Sequence, residues 1–228
     1  MAIKRNNLAQ KVLSPEQLAC KSLLEIFSPT HILAGGTAIA LQLGHRKSID
    51  FDLFCFSHQG TGRALSEKIK KGGLHIDAEK SSLNRLSDEE QSEIILFTDT
   101  GVKIQLIDFS RNPFDIALDI PSNIILCNGI PSYDLETLGA FKLYAMMYRT
   151  KWKDAVDLRY ILHQGYAFRQ IIDKTESLFG KLYQSTASIE NIVGGNRDSS
   201  EELIYLDPKH PNNEEIISYL QQEVKKLI

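Results

Sequence analysis

Residues 34–54 read AGGTAIALQLGHRKSIDFDLF, and the parsing of this stretch decides the fold. Just upstream, His31 to Ala34 is a short apolar run of a length that suits a buried strand. It meets Gly35-Gly36-Thr37 and then the helix-forming Ala38 to Leu43, stopped at Gly44. The order is strand, tight glycine turn, helix. Ile49 to Phe56 is rich in β-formers and reads as a second strand. Strand side chains alternate faces, so Asp50 and Asp52 point one way while Phe51 and Leu53 point into the opposite layer. Without Cβ atoms, Gly35 and Gly36 let backbone N–H groups approach a phosphate, and the helix from Thr37 aims its positive end at the same place.

Working outward, Ser14-Pro15-Glu16 opens a helix that runs to Phe27 and ends at Ser28-Pro29. Downstream, Gly60 to Lys71 reads as a basic helix closed by Gly72-Gly73, followed by strands over Leu74–Ala78, Glu93–Thr98 and Val102–Phe109. The last two are joined at Asp99-Thr100-Gly101, a hairpin turn. After a short strand at Ile124–Cys127 the pattern turns helical from Ser132, with further helices over Ile171–Tyr183 and Glu214–Leu227 and a polar loop at Gly194–Ser200. The expected architecture is α+β: a mixed β-sheet flanked by helices in residues 1–130, then a C-terminal helical bundle in residues 131–228. From Asp198 to Ile228 seven acidic residues face three basic ones, which predicts a solvated flank unsuited to phosphate.

Composition narrows the class. The 228 residues are 43% hydrophobic and 24% charged, near the globular average, which excludes a disordered chain or a fibre. A net charge of -3 argues against a surface that wraps nucleic acid as a whole, although a local basic patch fits within it. Cys20, Cys55 and Cys127 form no C-x-x-C pair and are odd in number, the pattern of buried free thiols in a reducing compartment. Lys4, Arg5, Asn6, Asn7 and Lys11 interrupt the N-terminus, and no run reaches ~18 apolar residues, so the expected location is cytoplasmic, with no membrane contact.

The chemistry is carried by carboxylates. With 14 aspartates, roughly 0.85 D-x-D pairs arise by chance, so context must supply the specificity of Asp50-x-Asp52. Two like carboxylates side by side repel unless a cation neutralises them, and Mg²⁺ normally binds one or two carboxylates plus substrate phosphates. Asp108 sits between Ile107 and Phe109 on a strongly apolar strand; if that strand neighbours the first, three carboxylates converge in a two-metal geometry. Asp108 facing Asp50 and Asp52 is the condition on which the enzymatic reading from these residues rests. Lys142, Arg149 and Lys153, spaced by seven and four residues, form either a basic stripe for phosphates or a solvated face with helix ion pairs. The remaining histidines, His31, His58, His75, His163 and His210, lack metal-ligand spacing, and Trp152 with Tyr148 reads as packing before base stacking.

These residues together resemble the AbiEii/AbiGii toxin group of minimal nucleotidyltransferases, in the DNA polymerase β-like superfamily. The match is Ala34 to Phe54, similar to that group's signature of GGT, an apolar helix and His-Arg-x-Ser-x-Asp-x-Asp-Leu-Phe, continued by IQLIDF and by Lys142 with Arg149 to Asp157. The resemblance covers roughly residues 30 to 165 and implies the nucleotidyltransferase fold. It implies that Gly35, Gly36 and Thr37 bind a triphosphate, that Asp50 and Asp52 hold Mg²⁺ or Mn²⁺, and that Asp108 is third ligand or base. Lys142, Arg149, Lys153 and Asp157 would face the nucleotide, while His45, Arg46 and Ser48 would order the loop, with Arg46 near phosphate. Lys153 stands where Arg is common, and a lysine loses the bidentate fork. The implied activity is transfer of an NMP from an NTP to an acceptor hydroxyl, such as an RNA or tRNA 3′ end, by a toxin with a cognate antitoxin. Two other readings keep the fold: an antibiotic-type enzyme acting on a small hydroxylated molecule, and a non-catalytic nucleotide-binding or partner-binding module.

Overall fold

Ser14 opens a helix as expected: its side chain accepts from Gln17 N, Gln17 returns the bond to the Ser14 backbone, and Pro15 presets the first helical φ. The computed structural model describes residues 8–28, 30–56, 76–77, 79–81, 92–110, 124–194 and 202–227. The stretch read as one helix is two, α1 (Pro15–Ala19) and α2 (Lys21–Phe27), broken at Cys20. The chain forms two compact units, Met1–Leu41 with Ser48–Tyr133, and Gln42–Lys47 with Asp134–Ile228.

The first unit is built on a mixed sheet. After β1 (Ile32–Ala34) the chain enters α3 (Gly35–Leu43) directly, so the glycines are the first turn of the helix and no separate turn precedes it. β2 (Phe51–Cys55) runs antiparallel to β1, and β4 (Lys103–Asp108) runs parallel to β2 on its other side. β3 (Glu93–Phe97) pairs antiparallel with β4 through the expected hairpin, where Gly101 takes φ +85°. Of the expected strand Leu74–Ala78, only a bridge between Ile76 and Thr98 falls among the described residues, and the basic helix Gly60–Lys71 lies outside them.

The helix expected from Ser132 starts later. β5 (Ile124–Cys127) turns through Asn128 (φ 52°) and Gly129 (φ 81°) into β6 (Ile130–Tyr133), giving the strand order β3-β4-β2-β1-β6-β5. Asn-Gly is the strongest short hairpin signal, since both central residues need positive φ. Phe51, Leu53, Ile94, Leu96, Ile104 and Leu106 occupy one face of the sheet at 0–1% exposure and form its core. Cys20, Cys55 and Cys127 are all buried and none is in a disulfide.

The second unit is helical: α4 (Leu135–Tyr148), α5 (Trp152–Leu162), α6 (Phe168–Phe179), α7 (Ser185–Val193) and α8 (Asn213–Lys225). Asp134 caps α4 by accepting from Thr137 N. Helix α7 was not anticipated, and most of the expected Gly194–Ser200 loop lies outside the described residues. The acidic side chains of the C-terminal segment face solvent as expected, Glu202, Asp207, Glu214 and Glu215 being exposed, but the segment also packs: α8 is amphipathic and buries Ile216, Leu220 and Val224 against α5 and α7. Among the described residues no helix is long and apolar enough to cross a membrane.

Candidate active site

Asp52 is pressed against the start of α3. Gly35 has φ +64°, and a Cβ placed there would lie 1.9 Å from Asp52 Oδ2, so a side chain is excluded both by conformation and by space. The carboxylate therefore meets the helix end that carries the unsatisfied N–H groups, where a negative charge is stabilised by about 0.3–1 kcal/mol. Asp50, two residues upstream and half-buried, belongs to a loop fastened to the same helix. The Thr37 hydroxyl hydrogen-bonds to the carbonyl oxygen of Asp50 and lies 2.7 Å from Ser48 Oγ. Thr37 is 1% exposed, and its side chain is turned to the loop rather than to solvent.

The structure does not bring Asp108 to this place. In the parallel register of β2 and β4, Asp52 lies opposite Gln105, whereas Asp108 lies opposite Cys55. Directly opposed residues share a face, so Asp108 belongs to the buried face with Leu106 and Ile104, and Asp52 to the other. Asp108 is 0% exposed and accepts from Ser110 N at 2.9 Å and from the Ser110 hydroxyl. Among the described residues no three acidic, histidine or cysteine side chains could hold a metal ion together. The condition set for the enzymatic reading is not met in this geometry: Asp108 is turned to Ser110 on the face of the sheet opposite Asp52. The residue beside Asp52 that sequence reasoning missed is Gln105, whose amide donates to Glu93 Oε1 at 2.5 Å and whose oxygen accepts from Lys103 Nζ at 3.1 Å.

Two oxygen-donor side chains remain, Asp50 and Asp52. That set suits a hard divalent cation whose coordination is completed by substrate phosphates, the usual mode for Mg²⁺.

The second unit holds a buried ionic cluster. Asp157, fully buried, receives Arg46 Nε at 2.7 Å and Nη2 at 2.8 Å, His45 Nε2 at 2.8 Å, and Lys142 Nζ at 2.8 Å. Lys142 also reaches Asp154 Oδ1 at 2.7 Å, and Arg149 Nε reaches Asp154 Oδ2 at 2.8 Å. Burial alone would push both carboxyls up. The cations outweigh it, holding Asp154 below the usual carboxylate range and Asp157 well below it. Burial would likewise push Lys142 down, but Asp154 and Asp157 raise it. His45 goes the other way: burial depresses it despite Asp157, so the neutral ring donates Nε2–H to the carboxylate.

This cluster corrects three expectations. Arg46, 4% exposed, spends its fork on Asp157 and is not presented to phosphate; Asp157 has no surface to show a nucleotide; and Lys142, 5% exposed, is enclosed by acids. Nor do Lys142, Arg149 and Lys153 line one helix, because Arg149 ends α4 in an extended conformation and Lys153 lies on α5. Trp152 is packed at 7% exposure, while Tyr148 is 68% exposed. Asp154, which the sequence placed in the Asp-x-x-Asp motif without a role, is as central as Asp157; its signal was the i, i+3 spacing of two acids on an otherwise apolar helix face.

A mixed sheet whose β1 feeds a glycine-started helix, with D-x-D at the start of the adjacent strand, is the nucleotidyltransferase fold. A family model described as nucleotidyl transferase AbiEii toxin, type IV toxin–antitoxin system, matches residues 18–225, well beyond the stretch its motifs occupy. The chain belongs to this family of nucleotidyltransferase toxins. Among solved structures it is similar to MenT4, a nucleotidyltransferase toxin from Mycobacterium tuberculosis H37Rv, at 12% identity and TM-score 0.53, covering 90% of this chain and 80% of that one. It is also similar to JHP933 from Helicobacter pylori, at 18% identity and TM-score 0.48, covering 94% of each chain. No curated protein matches the sequence.

Proposed function

We propose that the protein is a divalent-cation-dependent nucleotidyltransferase that moves an NMP from an NTP onto a hydroxyl of RNA, with the tRNA 3′ end as acceptor. It acts in the cytoplasm as the toxin of a pair whose antitoxin restrains it. The observation that carries the reading is the seating of Asp52 on Gly35, with the backbone carbonyl of Asp50 tied to Thr37 in the same helix.

In this reading the backbone N–H groups at the start of α3 bind triphosphate oxygens, and Gly35 and Gly36 leave room for them. Asp50 and Asp52 would hold Mg²⁺, which when bound neutralises phosphate charge and lowers the barrier to attack at phosphorus. The acceptor oxygen forms a bond to the α-phosphorus, the bond from that phosphorus to the bridging oxygen of the β-phosphate breaks, and pyrophosphate leaves with its electron pair. The acceptor proton passes to solvent, since Asp108 faces the other side of the sheet.

Purified protein incubated with each labelled NTP, Mg²⁺ and total RNA tests this. Label in RNA, lost with EDTA and in Asp50→Ala, is expected. Transfer that survives Asp50→Ala, or no transfer with any NTP, overturns the reading, and a mass shift confined to small hydroxylated molecules reassigns the acceptor.

A further inference from the structure

The connector between α3 and β2 leaves one unit and returns to it: Gln42–Lys47 belongs with the helices, and Ser48 begins the return. Its hold on the helical unit is dense. Arg46 grips Asp157 with two nitrogens at 2.7 and 2.8 Å and turns Nη1 back onto the Lys47 carbonyl at 2.9 Å. His45 donates to Asp157 at 2.8 Å, Lys47 N donates to the Ile204 carbonyl at 2.8 Å, and Leu206 N donates to the His45 carbonyl at 3.1 Å. Four positions after Arg46 comes Asp50, whose own loop is fixed to Thr37.

We infer that Asp157 is a positioning residue for nucleotidyl transfer, acting on Asp50 and Asp52 through Arg46 and His45 by fixing the connector that runs into them, and making no contact with nucleotide. This rests on the proposed transfer reaction. Three features carry it. Asp157 is 0% exposed and both its oxygens are taken by cations, so it has nothing left for a substrate. A two-nitrogen fork fixes direction as well as distance, which a single hydrogen bond does not. Only four positions separate Arg46 from Asp50, a span of at most about 14 Å, so displacement of the anchor is passed along a short length of chain, and misplacement by about 1 Å can cost 10²-fold in rate. Lys142, bridging Asp154 and Asp157, holds α5 to α4 and so steadies the anchor itself.

The test uses the full chain as wild type, Asp157→Asn, Arg46→Lys and the double variant, with NTP and RNA kinetics. Hydrogen exchange over residues 45–50 and Mn²⁺ binding by electron paramagnetic resonance are read alongside. Expected are a kcat at least about tenfold lower in each single variant with the NTP KM within about twofold, a double variant no worse than the weaker single, and faster exchange over residues 45–50. A raised KM with kcat retained, or losses that multiply in the double variant, would overturn the inference, because Asp157 would then act on the nucleotide independently of Arg46. If Asp157→Asn does not fold, Arg46→Lys, which keeps the charge and loses the fork, carries the same comparison. A wild type that transfers nothing sinks the proposed function alone. The exchange and Mn²⁺ arms need no turnover, and unchanged exchange with unchanged Mn²⁺ affinity in Arg46→Lys would refute the positioning role by itself.

Discussion

Gly35 and Asp52 approach so closely that a Cβ on the glycine would sit 1.9 Å from the carboxylate oxygen. The carboxylate and the helix start are thereby one structural object, and the smallest side chain separates them. Gly35→Ala is expected to lower stability by about 1–2 kcal/mol for the left-handed conformation alone, and to reduce transfer by about 10²-fold through displacement of Asp52. A thermal melt and a transfer assay on the same preparation check both; an alanine variant of undiminished activity would show that Asp52 need not sit there.

Asp108 separates the present account from a three-carboxylate one. Asp108→Asn keeps an acceptor for Ser110 N and is expected to retain transfer within a few-fold, whereas Asp50→Asn and Asp52→Asn each lose about 10²-fold or more. Asp108→Ala leaves the Ser110 amide unpaired in a buried place and is expected to cost about 1–3 kcal/mol of stability. Side-by-side rates and urea midpoints decide.

Lys142 is enclosed by Asp154 and Asp157 at 2.7 and 2.8 Å. Lys142→Met removes the cation and leaves two buried acids short of a partner, with an expected loss of about 3–5 kcal/mol in urea unfolding. A loss below about 1 kcal/mol would mean that the cluster is solvated in solution.

The same cluster sets a pH window. Asp154 and Asp157 are depressed, so their contribution is complete above the unfolded carboxyl value of about 3.9 and is lost as pH falls through their folded values. Lys142 is raised, so its contribution is complete below about 10.4 and is lost as pH rises through its folded value. His45 is depressed as well, and its contribution declines as pH drops below about 6.5, because the unfolded ring takes a proton that the buried ring refuses. Melting temperature is therefore expected to slope downward from pH 7 to 5 in the wild type and to flatten over that range in His45→Gln. Parallel slopes in the two proteins would remove His45 as the source.

Local chemistry made much of this molecule readable before its structure. Ser14 with Gln17 and the Asp99-Thr100-Gly101 hairpin follow from residues within a few positions of one another, as does the β1-to-helix order, although the helix begins at Gly35 itself and Asp50 falls just outside β2. The face of Asp108 was readable too, since it shares parity with Ile104 and Leu106, but Ile107 and Phe109 are also apolar and masked the alternation. The Asn128-Gly129 hairpin was missed because the helical signal of α4 swamped four residues of strand. No local pattern could have shown Arg46 meeting Asp157 across 111 positions of sequence; only the packed structure reveals that a residue beside the D-x-D strand is held by the helical half.

The central claim is that Asp50 and Asp52, without Asp108, hold the cation that accompanies the nucleotide. Crystals soaked with Mn²⁺ and a non-hydrolysable NTP test it most directly. The account requires anomalous density bonded to carboxylate oxygens of Asp50 and Asp52 and to triphosphate oxygens near Gly35, with Asp108 still turned to Ser110. Density on Asp108, or triphosphate bound without metal at Asp50 and Asp52, would contradict it.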